Sequence, residues 1–339
     1  MILFGLIILV FVFLGMRQPE AKQFNKDVVT VLKPFLAMGI VLHHLHAQSV
    51  YLHEFERWGP LIVGIFFFIS AYGLSYSLDN RPGYMKNFLS KKIMLKFVLP
   101  TFLAFLLNFL LNEHVVDYSF MKHLNTPGGP FFFSNDWFMY ALVYCYLIFM
   151  VAAKAKNRNV QLYIQICGSL IFVLVTALND FARNWWATPL AFPVGAFYYQ
   201  NELRIRKLVN GKTGLLISTL LYLSVLGSLM AGSALFNYNV TTVLAYSLLP
   251  LLLVNCMIRL DVSSLAKNRN ILFLSGISFE IYLVHGIIID FLSKHVELSG
   301  PVLIVATIVT SLLVAVLFHK LIIACQKPFV SKFSVKTNA

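Results

Sequence analysis

The feature that most constrains this chain is a succession of apolar runs separated by short polar loops. A transmembrane helix needs about 20 consecutive, mainly apolar residues, and most of these runs approach that length. Only 12% of the 339 residues are charged, against about 25% in a soluble domain. The pattern predicts an all-α, polytopic transmembrane helical bundle, with about ten core helices and an extra N-terminal membrane helix over residues 1–16. The runs occupy roughly residues 2–16, 28–47, 58–78, 93–112, 136–153, 160–178, 186–200, 213–232, 240–259, 270–292 and 300–325.

Lysine and arginine are concentrated in every second loop. Cytoplasmic loops of membrane proteins carry such an excess of positive charge. We therefore expect these loops and the basic tail, residues 326–339, in the cytoplasm, and the N-terminus outside. The net charge of +13 is then explained by the basic cytoplasmic loops, and we expect no nucleic-acid partner. The basic clusters fall within residues 17–26, 81–96, 154–158, 204–212, 259–269 and 327–336.

Three segments need separate comment. Residues 1–16 have neither a basic leader nor a small-residue cleavage site, so we expect an uncleaved helix rather than a signal peptide. The run 186–200 is interrupted by Pro189 and Pro193, which predicts a kink. The longest external loop, about residues 112–134, contains Pro-Gly-Gly-Pro and three phenylalanines, and we expect it to fold back over the outer mouth.

Two ionisable residues share one apolar run. Lys33 and His44 lie eleven residues apart, so on a helix they occupy one face about 16 Å apart along the axis. Lys33 would meet an anion from the cytoplasm, and His44 would act as a general base for a hydroxyl arriving from outside. The alternative is that Lys33 reaches the inner headgroups and the histidine is simply interfacial. On the same wheel, His43 and His46 point away from His44.

A second polar stripe lies in the run 270–292. Ser275, Ser278, Tyr282 and His285 follow helical spacing and so share one face. Glu280 points elsewhere, but it lies at apolar depth, where a carboxylate needs a cation or several donors. A polar packing seam between helices is the alternative interpretation, and it accounts for the serines better than for Glu280 and His285.

Several weaker candidates complete the set. Ser70 lies in a small-residue patch, and Asp136-Trp137 opens a helix at the outer face, where a carboxylate also suits the helix dipole. A basic group before Pro100 could cradle a phosphate, or it could bind anionic lipid as an ordinary cytoplasmic loop. No metal-binding motif is present in the sequence, and we expect no metal. That basic group comprises Lys86, Lys91, Lys92 and Lys96.

These segments together resemble the acyltransferase-3 family of integral membrane acyltransferases. The family pattern has an Arg or Lys, followed by ten residues and then a His, and Lys33 and His44 match it. Its later motifs are matched in order by FFFISAY at 66–72, KKIMLKFVLP at 91–100, NDWFMYALVYCYLIF at 135–149 and SFEIYLVH at 278–285. The resemblance covers about residues 24–325. Ala71 stands where the family usually has glycine, and Lys33 where arginine is common. The first helix lies outside the ten-helix core.

The resemblance implies transfer of an acyl group, usually acetyl, from cytoplasmic acyl-CoA to a sugar hydroxyl of a cell-envelope glycan across a bacterial cytoplasmic membrane. It implies that His44 is the catalytic base or an acyl relay and that Lys33 orients the donor. The partners are then acyl-CoA, the glycan and the lipid bilayer, with acetyl-CoA as donor substrate. We expect His285 to be a third catalytic residue, supporting the site from the other side, and Lys91, Lys92 and Lys96 to bind the donor together with Lys33. Substrate-binding or supporting roles are expected for Ser70, Asp136, Trp137, Ser278, Glu280 and Tyr282.

Two other classes remain. A transporter or flippase could use the same buried Lys33 and His44 to bind an anion or relay protons, although the inverted halves typical of many transporters are not evident. A receptor or scaffold is less compatible with three unlike ionisable positions, Lys33, His44 and His285, inside apolar runs. The residues leave open the glycan, the acyl group, and whether His44 is itself acylated.

Overall fold

The computed structural model describes residues 20–48, 50–56, 58–112, 136–231, 238–297 and 300–334. The predicted helix at 1–16, almost all of the external loop at 112–134 and the last five residues of the tail lie outside this part. Two 3₁₀ segments, His46–Gln48 and Val50–Phe55, follow the first helix, and a π-helical segment, Leu89–Val98, precedes the third. The α-helices are α1 Lys26–Leu45, α2 Trp58–Asn80, α3 Leu99–Asn112, α4 Trp137–Ala152, α5 Arg158–Leu178, α6 Arg183–Ala187, α7 Ala191–Val209, α8 Gly211–Ala231, α9 Tyr238–Met257, α10 Ser263–Ala266, α11 Arg269–His295 and α12 Gly300–Ser334.

Helices coincide with each predicted apolar run from residue 28 onwards, which confirms the all-α polytopic bundle. Seven helices in the described part are long and apolar enough to cross a membrane. The α4 helix is apolar but shorter, with 16 residues. Helices α6 and α7 form with α8 a bent unit, in which the chain bends by 114° between α7 and α8. The last helix extends to Ser334 and so includes most of the predicted tail.

The predicted kink in the run 186–200 is a break between two helices. Helix α6 ends at Ala187 and α7 begins at Ala191. Pro189 lies between them, and a proline has no backbone N–H to continue a helix. The short α6 packs against α4, α5 and α9.

Asparagine caps begin three of the long helices. The side-chain oxygens of Asn25, Asn157 and Asn268 each accept hydrogen bonds from two backbone N–H groups in the first turn of α1, α5 and α11. An N-terminal cap of this kind stabilises a helix by about 1 kcal/mol. The starting points of α1 and α11, which carry the main candidate residues, are therefore locally determined.

The basic loops meet at one end of the bundle. The Lys22 backbone N–H donates to the carbonyl of Ile258 at 3.0 Å, and the Lys22 ammonium lies 3.6 Å from Asp261. Arg158, the first residue of α5, forms an ion pair at 2.9 Å with Asp79 at the end of α2. These contacts join loops that the alternation of charge had placed on one side of the membrane.

Helix α1 is fixed to its neighbours at its first turn. The buried Glu202 carboxylate, on α7, accepts a hydrogen bond from the Phe24 backbone N–H at 2.7 Å and another from the Tyr72 hydroxyl at 2.8 Å. Arg206 donates to the Ala21 carbonyl at 3.1 Å. A buried carboxylate needs such donors, and here they lock α1 to α2 and α7.

Helix α1 lies at the centre of the arrangement. It packs against α2 on one side and α11 on the other, and α11 in turn packs against α3 and α12. Helices α2 and α7 approach closely, since a Cβ on Gly195 would stand 2.2 Å from the Phe68 carbonyl oxygen. The candidate residues of α1 therefore face helices that come from both halves of the sequence.

Candidate active site

Two histidines from distant parts of the chain meet where α1 packs on α11. His44 lies in the last turn of α1 and His285 in the middle of α11, and their ring centroids are 5.1 Å apart. His285 is fully buried, whereas His44 is partly accessible. The structure thus brings together the two imidazoles that the sequence analysis took from separate motifs.

The hydrogen bonding of His285 defines which of its nitrogens is available. Its Nδ1 lies 2.6 Å from the carbonyl oxygen of Tyr282, so Nδ1 carries the proton and donates. A neutral imidazole then presents a lone pair at Nε2. Within the described residues, this Nε2 is buried without a hydrogen-bond partner. A buried acceptor of this kind requires a hydrogen-bond donor, which a water molecule or a ligand can supply.

His43 joins the same cluster, contrary to the expectation from the helical wheel. Its ring centroid lies 4.6 Å from that of His44, and its Nδ1 lies 2.9 Å from the Phe55 carbonyl. The 3₁₀ segment Val50–Phe55 folds back over the end of α1 and supplies this carbonyl. A wheel describes one helix only, so it could not show this contact. His46 Nδ1 in turn bonds to the His43 carbonyl.

A cavity of about 280 Å³ opens beside these rings. Its walls combine histidines with aromatic rings and with polar side chains, at the end of the bundle opposite the basic loops. It is open to the exterior of the protein on one side. Its lining residues are Ile40, His43, His44, Glu56, Gly59, Pro60, Val63, Trp137, Arg183, Asn184, Tyr246 and Tyr282.

The start of α4 forms one wall of the cavity. Asp136 is fully buried and accepts a hydrogen bond from the Tyr140 hydroxyl at 3.1 Å. With the Asn184 amide oriented so that its oxygen faces the indole, Trp137 Nε1 donates to that oxygen at 2.9 Å. The edge of Phe138 packs on Tyr282, with ring centroids 5.1 Å apart. Asp136 and Trp137 are therefore part of the cavity's frame, and Trp137 lines it directly.

A second group of charges lies toward the basic end of α1. Lys33 is half-buried, and the charges of Lys26, Lys96 and Glu280 act on it. Lys92 interacts electrostatically with Lys33 and Lys96. Two of the predicted donor-binding lysines on the π-helical segment, Lys92 and Lys96, thus act electrostatically on Lys33.

Ser70 lies near this inner group rather than at the cavity. It shares a hydrogen bond with the buried Tyr146 hydroxyl, and the Lys92 ammonium lies 5.9 Å from the centre of the Tyr146 ring. A cation over an aromatic face is a modest stabilising contact. Ser70 therefore helps to position the ring on which Lys92 rests.

The remaining residues of the α11 stripe divide between packing and charge. The Ser278 hydroxyl donates to the Ser275 carbonyl at 2.9 Å within its own helix. Glu280 is 6% exposed, and its Oε1 accepts a hydrogen bond from His319 Nδ1 on α12 at 2.7 Å.

Sequence reasoning assigned no role to six polar or aromatic residues of this site: His43, Glu56, Arg183, Asn184, Tyr246 and His319. His319 was the most detectable of these, as an imidazole inside the last apolar run. Glu56, Arg183 and Asn184 come from loops or a short helix and carried no periodic signal. In the described part of the chain, no group of three or more His, Cys, Asp or Glu side chains could hold a metal ion.

The membrane-length helices define an integral membrane protein. Its bundle holds paired imidazoles at one end and a group of lysines at the other. The chain belongs to the acyltransferase-3 family, because the family model, described as an acyltransferase domain, matches residues 27–320. This confirms the resemblance and makes the protein a membrane acyltransferase. A search of curated proteins and a search of solved structures found no significant match.

Proposed function

We propose that this protein moves an acyl group, most simply acetyl, from cytoplasmic acyl-CoA to a sugar hydroxyl of a cell-envelope polysaccharide outside a bacterial cytoplasmic membrane. One observation carries the proposal. Lys33 and His44 lie on one helix, about 16 Å apart, with the lysine among other ammonium groups and the histidine at a cavity beside His285. This arrangement offers a donor site and an acceptor site on opposite sides of one bundle.

The basic end is proposed to face the cytoplasm and to receive the donor. Lys33, Lys92 and Lys96 present ammonium groups to the phosphates of acyl-CoA, and positive charge at an entrance raises the local concentration of such an anion. The positive-inside rule supports this orientation, which places the C-terminus in the cytoplasm and the N-terminus outside. The pantetheine arm would then extend along α1 toward His44.

The cavity is proposed to receive the acceptor. Its aromatic walls, Trp137, Tyr246 and Tyr282, suit the apolar faces of a sugar ring, and the side chains of Glu56 and Asn184 offer hydrogen bonds to hydroxyl groups. A volume of about 280 Å³ fits a small ligand portion rather than a long polymer segment. One sugar unit of a longer glycan would therefore enter, while the rest stays outside.

In the proposed reaction, the acceptor hydroxyl oxygen attacks the thioester carbonyl while His44 accepts the hydroxyl proton. The tetrahedral intermediate then collapses, the carbon–sulfur bond breaks, and His44 returns the proton to the departing thiolate. His285, Tyr282 and Ser278 support the site from α11. A route in which His44 attacks first and carries the acyl group itself has the same balance, and it would leave an acylated His44 detectable by mass spectrometry when acceptor is absent.

The test is acyl transfer by purified protein supplied with labelled acetyl-CoA and a panel of envelope glycans. His44→Ala is expected to lower the rate by about 10²- to 10⁴-fold, the usual effect of removing a general base. His295→Ala is the matched control, since His295 is exposed at the end of α11, and it should leave the rate unchanged. Unimpaired transfer by His44→Ala would remove the catalytic assignment. Transport of an intact solute without acyl transfer would favour a transporter instead.

A further inference from the structure

Glu280 and His319 are joined between the donor end and the histidine cluster. Helices α1 and α11 both begin at the basic end, and His44 and His285 meet at one level. Lys33 lies about 16 Å before that level along α1, and Glu280 about 7 Å before it along α11. In depth, the carboxylate therefore lies between the lysines and the imidazoles.

The two oxygens of this carboxylate have different surroundings. Oε1 accepts the hydrogen bond from His319 Nδ1 at 2.7 Å, whereas Oε2 is buried with no hydrogen-bond partner among the described residues. The charge of Glu280 acts on Lys33, yet no hydrogen bond or ion pair joins the two side chains in this part of the structure. His319 thus holds the carboxylate near Lys33 but apart from it.

We propose that His319 is a positioning residue that keeps the Glu280 carboxylate from pairing with Lys33. Lys33 then stays available for the anionic donor, while the nearby negative charge of Glu280 limits the affinity for that anion. This inference rests on the proposed function, because it takes the donor to be an acyl-CoA held at Lys33. After each turnover the enzyme must release coenzyme A. A limited affinity for this anion favours turnover, since tight binding of the product slows its release.

The proposal requires two substitutions to act in opposite directions. Glu280→Gln removes the negative charge and keeps the shape, so coenzyme A should bind about 3- to 10-fold more tightly, as expected for one partly screened charge. His319→Leu frees the carboxylate to pair with Lys33, so coenzyme A should bind about 3- to 10-fold more weakly. In the double variant the effect of His319→Leu should vanish, because the carboxylate through which it acts is gone.

The experiment measures binding of coenzyme A to the purified full-length protein in lipid nanodiscs, with thermal stability recorded for every variant. Pantetheine, which lacks the charged phosphates, serves as the neutral probe, and its affinity should not change. If the pair were merely structural, each substitution would lower thermal stability. Both substitutions would then change the affinities for coenzyme A and for pantetheine in the same direction. That result, or equal affinity for coenzyme A in wild type and Glu280→Gln, would overturn the proposal.

Steady-state kinetics separate this inference from the proposed function. Glu280→Gln should lower both KM for acetyl-CoA and kcat, since the product leaves more slowly. If the wild type transfers acetyl but the two substitutions do not change the affinity for coenzyme A in opposite directions, the role of the pair is refuted and the acyltransferase assignment stands. Absence of both coenzyme A binding and acetyl transfer in the wild type refutes the assigned donor, and the inference with it.

Discussion

Replacing Gly59 by alanine is expected to impair acyl transfer by displacing His43. Gly59 is the second residue of α2, and the His43 ring lies directly against it. An added methyl group would stand 2.3 Å from His43 Nε2, roughly 1 Å closer than ordinary van der Waals contact. Because the rest of α2 is packed, the imidazole is the part that must move.

The cost of that movement follows from the contacts of His43. Its Nδ1 would leave the Phe55 carbonyl, 2.9 Å away, and a hydrogen bond of this kind contributes about 0.5–1.5 kcal/mol. Together with the overpacking, the free energy of unfolding should fall by about 1–3 kcal/mol. The ring centroid of His43 is 4.6 Å from that of His44, so a shift of about 1 Å reaches the proposed base and should lower kcat by about 10- to 100-fold.

The assay compares kcat and the thermal midpoint of Gly59→Ala with those of Gly73→Ala. Both changes lie in α2, but a Cβ at Gly73 would meet no heavy atom within 4 Å, so this variant should behave as wild type. Adding His43→Ala should relieve the collision, so that Gly59→Ala costs no further stability in that background. The reasoning would be refuted if Gly59→Ala were as active and as stable as Gly73→Ala.

Two further substitutions test the donor end and the anchoring of α1. Lys33→Gln should raise KM for acetyl-CoA by about tenfold or more, while Lys33→Arg should retain most of the activity because it keeps the charge. Equal KM values for the two variants in steady-state kinetics would contradict a role in donor binding. Tyr72→Phe should lower the free energy of unfolding by about 1–3 kcal/mol, because Glu202 loses a buried donor. Denaturant unfolding measures this loss, and Tyr72→Phe is expected to leave KM for acetyl-CoA unchanged.

The helices were largely predictable because their cause is local. Burying a backbone in lipid requires every N–H and C=O to bond within its own helix, so apolar runs of sufficient length mark helices wherever they fold. Boundaries were less predictable where loops intervene. The break at Pro189 appeared as a kink in the sequence, but the short helix Arg183–Ala187 and its place in the cavity wall did not.

The candidate site was predictable only in part. Lys33 and His44 share a helix, so their spacing alone placed them on one face, and the resemblance to the family pointed to His285. Neither could indicate that His43 turns into the cavity, since that depends on the Phe55 carbonyl from a following segment. The roles of all these residues stay predictions until the substitutions are measured.

The sequence by itself determined that this is a multi-pass membrane protein built from helices and which family of acyltransferases it belongs to, because these properties reside in the length, composition and order of short segments. Only the tertiary structure decided which side chains meet. The pairing of Glu280 with His319 joins residues 39 positions apart, and the meeting of His44 with His285 joins opposite ends of the chain. Such contacts arise from how whole helices pack against one another, and the periodicity of a single segment contains no information on its neighbours.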